Sequence, residues 1–92
     1  MSEVIREFEG RKMNAIHFAH IVKSNDKYYY VSTAYTWDHG LETMVFPFDN
    51  DTNIVTDWEE LYVEWYNSIK EANERHERIC KNLEEYLNEE ES

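Results

Sequence analysis

Apolar and polar positions alternate with a period of two over MNAIHFAHIV, Met13–Val22. Ile16, Phe18 and Val22 share one face with Asn14 and His20, while Met13, Ala15, His17, Ala19 and Ile21 share the other. Such alternation, ending on β-branched residues, predicts a strand. KSND (Lys23–Asp26) has turn chemistry, and KYYYVSTAYT (Lys27–Thr36), rich in Tyr, Val and Thr, predicts a second strand. Trp37-Asp38-His39-Gly40 reads as a turn, with Gly40 able to take positive φ. LETMVFPF (Leu41–Phe48) predicts a third strand; Pro47 cannot donate to a ladder, so its end belongs at an edge or a bulge. Asp49–Asn53 reads as a loop. Leu61–Tyr66 predicts a fourth strand, with Leu61, Val63 and Trp65 alternating against Tyr62, Glu64 and Tyr66. A helix capped by Thr56, with Glu59 three residues on, is the rival reading of that region. Near the N-terminus, Ser2 can cap a short helical turn over Glu3–Glu9 that stops at Gly10.

From Ser68 the period changes to 3.6. Ile69, Ala72, His76, Ile79, Cys80, Leu83 and Leu87 form one stripe, and Ser68 followed by Glu71 has the form of a capping box. Glu71–Arg75, Glu74–Arg78 and Glu77–Lys81 are spaced for i,i+4 ion pairs. The expected fold is therefore α+β: an antiparallel β-meander of three to four strands with a C-terminal α-helix packed on one face. It forms a single domain over 1–92, with an N-terminal segment at 1–12, the meander at 13–66, the helix at 68–88 and a fraying acidic tail at 89–92. One helix covers only one sheet face. Tyr28, Tyr29, Tyr30, Tyr35, Trp37, Trp58, Trp65 and Tyr66 supply rings to both, so the second face is expected to stay partly open as an aromatic patch or to pair with a second copy as a homodimer.

Ninety-two residues with 41% apolar and 15% aromatic content suit one small folded core and leave little room for a deep catalytic cleft. Cys80 is the single cysteine, which rules out an internal disulfide and fits a reducing cytoplasm. Nothing near Met1 resembles a signal peptide, and no apolar run approaches the roughly 20 residues of a membrane span.

Charge changes the picture more. The net charge is −11, and residues 37–66 hold eight acids and no lysine or arginine: Asp38, Glu42, Asp49, Asp51, Asp57, Glu59, Glu60 and Glu64. No lysine or arginine occurs between Lys27 and Lys70. This balance opposes binding to nucleic acid or to an anionic membrane, since phosphate contact needs Lys and Arg. A charged surface keeps a small protein soluble, yet interspersed lysines would relieve the repulsion at no cost in solubility. The functional reading is that these carboxylates stand where phosphates would in the basic groove of a nuclease or DNA-binding protein, with Trp37 and Trp58 as apolar anchors.

Other chemistry is thinner. Asp49, Asp51 and Asn53, continuing to Glu60, match positions 1, 3, 5 and 12 of a calcium loop, but Ile54 stands where that loop needs glycine. His17 and His20, three apart on a strand, point to opposite faces, and His76 reads as a packed core histidine, so no metal site is expected from them. Cys80 lies on the buried stripe, where a thiol is inert. Ser32, Thr33 and Thr36 have no base implied by spacing, and no catalytic residues or cofactors are expected.

Thr33, Ala34, Thr36, Asp38, Gly40 and Glu42–Phe46, then Val55–Trp58, Glu60 and Leu61, then Glu71, Ala72 and His76, form a pattern that resembles small acidic proteins encoded by phages and prophages of Gram-positive bacteria. The resemblance covers about residues 33–87 and brings no activity or site residues with it. It implies a setting in which small acidic proteins block host defence, as anti-CRISPR and anti-restriction DNA mimics do. The leading expectation is a non-enzymatic inhibitor of a basic, nucleic-acid-handling host protein in the host cytosol. The alternatives are a module that stacks a nucleotide-like signal on the aromatic face, and a phage assembly protein that self-associates.

Overall fold

The structure is a computed structural model. It describes residues 2–8, 17–36 and 40–91, with side chains through Leu87. Six strands form one antiparallel sheet: β1 (Glu3–Glu7), β2 (His17–Ser24), β3 (Lys27–Thr36), β4 (Gly40–Asp49), β5 (Ile54–Val55) and β6 (Tyr62–Tyr66). Two helices follow, α1 (Ile69–Lys81) and α2 (Leu83–Glu91). The order is β1-β2-β3-β4, and β5 and β6 share the far edge of β4, β6 along Leu41–Val45 and β5 along Phe48–Asp49. Among the described residues no helix is long and apolar enough to cross a membrane.

The α+β meander with a helix on one face is as the periodicities predict, though strands outnumber the expected three to four. The β2–β3 hairpin turns on Asn25 and Asp26, both at positive φ, as a two-residue type I′ turn requires. Gly40 takes φ +76° where β4 begins. Pro47 stands in the gap between β6 and β5, where the far side of β4 is met only by the Thr56 amide donating to the Pro47 carbonyl.

Four expectations are corrected. Glu3–Glu7 is an edge strand, not a helical turn, because β2 offers it a ladder, with a bulge between Val4 and Arg6. Ile54–Val55 is a strand too short for an alternation to register. The rival helix from Thr56 does not form. The C-terminal helix is broken at Asn82. There the Ser2 hydroxyl donates to the Cys80 carbonyl (2.7 Å) and accepts from the Leu83 amide (2.9 Å), so Ser2 serves a helix end some eighty residues away. Beyond the break α2 reaches Glu91, into the tail expected to fray, since no Gly or Pro interrupts its run of helix formers. The Met13–Ile16 start of the predicted first strand lies outside the described residues.

The helix-facing side of the sheet carries Val22, Val31 and Val45, which pack with Ile79, Cys80, Leu83 and Tyr86. Ser68 caps α1 by accepting from the Glu71 amide, and Glu71 reaches back to the Asn67 amide rather than to that of Ser68. On the second face Ala19, Ile21, Tyr30, Phe46 and Phe48 form their own cluster. Phe8 packs edge-on to Tyr30 and Phe48, and Trp58 edge-on to Phe46 and Tyr30. This part of the face, expected to lie open, is thus closed by the chain's own rings.

Candidate functional site

The two loops flanking β5 place the acids. At the end of β4 the Asp49 carboxylate accepts from the amides of Asp51 and Thr52, an Asx turn that leaves Asn53 at positive φ. The Asp51 hydrogen bond holds the Asp49 carboxyl below its usual range. After β5 the chain leaves the sheet edge at Thr56 and returns at Leu61, whose amide donates to the Val45 carbonyl. Asp57, Trp58, Glu59 and Glu60 ride on this excursion, with Asp57 capping its turn through the Glu59 amide. Asp51, Asp57, Glu59 and Glu60 are exposed and form no ion pair among the described residues. Trp58 is 68% exposed, although one flank of its ring rests on Phe46. Beside these loops lies an open groove of about 640 Å³ whose lining includes Asp26, Asp49 and Asp51 together with Tyr28, Tyr29 and Phe48.

The eight carboxylates therefore do not act as one set. Glu42 is only 7% exposed and accepts from the indole N–H of Trp65, its cross-strand neighbour (3.0 Å). Glu64 faces α1 and takes a two-pronged hydrogen bond from the Arg75 guanidinium (2.9 and 3.0 Å) as well as the Tyr62 hydroxyl. Both side chains are already engaged within the fold. Trp37 and Asp38 lie outside the described residues. The calcium-loop reading of Asp49, Asp51, Asn53 and Glu60 is also corrected. These side chains are not gathered into a metal-sized cluster, and Arg6 occupies the side-chain oxygens of Asn50 and Asn53. Without glycine at position six the chain turns into β5 instead of wrapping round an ion.

A second constellation lies under α1. His17 and His20 face opposite sides as expected, but His20 meets His76: His20 Nδ1 and His76 Nε2 are hydrogen-bonded at 2.8 Å. His76 Nδ1 is 2.7 Å from Thr33 Oγ1, Thr33 bonds Thr43, and the Tyr66 hydroxyl donates to Thr43 Oγ1 (2.7 Å). No buried side-chain polar atom among the described residues lacks a partner. Burial, with His20 and His17 nearby, lowers the His76 pKa to about 3, so the imidazole is neutral. Cys80 stands one helical turn on from His76, and burial pushes its thiol up to about 12. The ligand atoms of His20, His76 and Cys80 all lie within 4.8 Å of one another, on a cavity of about 590 Å³ that Val4, Phe18, Asn73, Glu77 and Lys81 complete.

The sequence reading missed this cluster. It treated His76 and Cys80 as members of one apolar stripe and weighed His20 only against His17. The available signal was His76-x-x-x-Cys80, two metal-capable groups at i,i+4 on the helix face that covers the strand bearing His20. Ser32 and Thr33 also have a base within reach, in His17 (3.0 Å) and His76, which linear spacing did not imply. Thr33 is fully buried, which suits a structural hydroxyl rather than a nucleophile. Comparison with family models, curated proteins and solved structures found no match.

Proposed function

We propose that this chain is a non-enzymatic binding protein that docks its acidic β4–β6 edge into a basic groove of a nucleic-acid-handling protein and blocks it. The observation that carries this reading is the groove beside β5. Asp26, Asp49 and Asp51 line it with Tyr28, Tyr29 and Phe48 against a single cation, Lys27, and exposed Trp58, Asp57, Glu59 and Glu60 stand on the neighbouring loop. Carboxylates beside aromatic walls suit arginine, whose guanidinium bonds the acid and stacks on the ring. An exposed tryptophan ringed by acids is the composition of an interface anchor within a charged rim. The resemblance to small phage-encoded acidic proteins makes a host defence nuclease or DNA-binding protein the natural target. Stacking of a nucleotide on the second face is less well supported, because Phe8 and Trp58 already occupy its aromatic centre.

The test is affinity capture from nuclease-treated host lysate. A basic protein should be retained at low salt and lost near 1 M, where the screening length falls to about 3 Å. The variant Asp51→Lys/Glu59→Lys/Glu60→Lys changes only exposed side chains that hold no hydrogen bond of the fold, so it should lose capture at an unchanged melting temperature. Equal capture by wild type and variant would overturn the proposal.

A further inference from the structure

We propose that His20, His76 and Cys80 form a binding site for a borderline-soft divalent metal ion, zinc above all, where β2 meets α1. Zinc takes imidazole nitrogen at about 2.0–2.1 Å and thiolate sulfur at about 2.3 Å, so a tetrahedral site places nitrogens roughly 3.3 Å apart and nitrogen and sulfur roughly 3.6 Å apart. His20 Nδ1 and His76 Nε2 are 2.8 Å apart, and all three ligand atoms lie within 4.8 Å. Shifts of roughly 0.5 Å between the imidazoles and at most about 1.2 Å at sulfur reach that geometry. Rotation of side chains from one strand and one helix supplies them without moving either backbone.

Three features separate this cluster from a pair of imidazoles that merely share a proton. The third group is a thiol, and zinc takes imidazole nitrogen and thiolate sulfur together in one site. Thr33 stands behind His76 at 2.7 Å from Nδ1. A hydroxyl accepts as readily as it donates, so with the Nδ1 proton on Thr33 the Nε2 lone pair faces His20 and Cys80. Thr43 and Tyr66 hold Thr33 in turn, the outer-shell support that orients metal-bound histidines. Finally, the adjoining cavity gives an entry path and room for a fourth ligand, with Asn73 and Glu77 on its wall. The site is independent of the acidic edge and lies on the opposite side of the sheet from Trp58.

The experiment uses the full chain, stripped with a chelator and titrated with Co²⁺ and then Zn²⁺. Expected are one equivalent of Co²⁺ bound with a thiolate-to-cobalt charge-transfer band, its displacement by one equivalent of Zn²⁺, and a rise in melting temperature with Zn²⁺. Cys80→Ala should lose the band while keeping its circular dichroism. His20→Ala should weaken binding by more than about 100-fold, and Thr33→Val by about 10- to 100-fold. Absence of the band in wild type at saturating Co²⁺ overturns the site whatever the variants do. So does Zn²⁺ binding that survives both Cys80→Ala and His20→Ala, since the ion would then sit elsewhere, as on the Asp49–Asp51 loop.

Discussion

Replacing Arg75 by Met is expected to cost far more than replacing its partner Glu64 by Gln. The Arg75 side chain is 35% exposed and that of Glu64 15%. Arg75→Met keeps the aliphatic stem but leaves Glu64 charged, half-enclosed and served only by the Tyr62 hydroxyl. Removing one partner of a buried pair costs about 3–5 kcal/mol, and exposed pairs are worth about 0–1. The partial exposure of Arg75 places this loss at roughly 2–3 kcal/mol, to which its place over the Tyr86 ring (5.6 Å) adds a little. Glu64→Gln still accepts from Tyr62, and the freed guanidinium can hydrate, so roughly 1 kcal/mol is expected. For a chain of this size each kcal/mol moves the melting temperature by about 4–8 °C. Urea unfolding of both single variants and the double would measure the coupling, with Arg78→Met as surface control. The reasoning fails if Arg75→Met destabilises no more than Arg78→Met, or no more than Glu64→Gln.

The same pair gives a pH dependence of fixed sign. Burial pushes the Glu64 carboxyl up, but the hydrogen bonds from Arg75 and Tyr62 outweigh it and hold the folded pKa below the usual 4.5. The unfolded chain then binds the proton more readily than the folded one. The contribution is complete above pH 4.5 and is lost as pH falls through the lower folded value. The penalty of Arg75→Met should therefore be largest near neutrality and shrink below pH 4.5, whereas that of Ile79→Ala should not change.

Ile79 is fully buried against Val22, Val31 and Val45, so Ile79→Ala should cost about 3–4 kcal/mol in urea unfolding, much of the stability of a domain this small. Ser2→Ala removes the hydroxyl at the helix break and should cost about 1 kcal/mol, with faster hydrogen exchange at the Leu83 amide. Gly40 sits at φ +76° with nothing within 4 Å of where a side-chain methyl would stand, so Gly40→Ala should cost about 1–2 kcal/mol from backbone strain alone, and Gly40→Asn less.

What could be read from the chain followed from local periodicity. The alternation in β2, β3 and β6, the turn residues Asn25, Asp26 and Gly40, and the Ser68 cap each act within a few residues of themselves, so the strands and α1 were legible. What could not be read depended on partners distant in sequence. Glu3–Glu7 is a strand only because β2 lies beside it, and α1 ends at Asn82 with Ser2 arriving from the other end of the chain. Arg75 was spaced to pair with Glu71 along the helix, yet it pairs with Glu64, where lower exposure and a planar two-pronged fit favour it. Of the expected i,i+4 pairs, Glu77–Lys81 forms. The histidine cluster was hidden for the same reason: His20 and His76 are 56 positions apart, and only the packing of α1 on the sheet brings them within hydrogen-bonding distance.

The eight acids of residues 37–66 also divide on physical grounds. Glu42 and Glu64 lie on β4 and β6, where an unpaired charge would be costly, and each has a donor that compensates it, the Trp65 indole or the Arg75 fork. Asp51, Asp57, Glu59 and Glu60 are on loops, where water screens their repulsion, and the strand interiors carry none of that load. Those loops project beside the far edge of β4, which β5 covers for only two residues. Like charges there also oppose pairing with the same edge of a second copy, as acids and lysines do at other sheet edges. On the proposed reading, a negative edge that repels its own kind while keeping Trp58 exposed favours a partner of opposite charge. The carboxylates would then serve twice, against self-association and toward a basic groove, and lysine substitutions that abolish capture should also raise the tendency to dimerise.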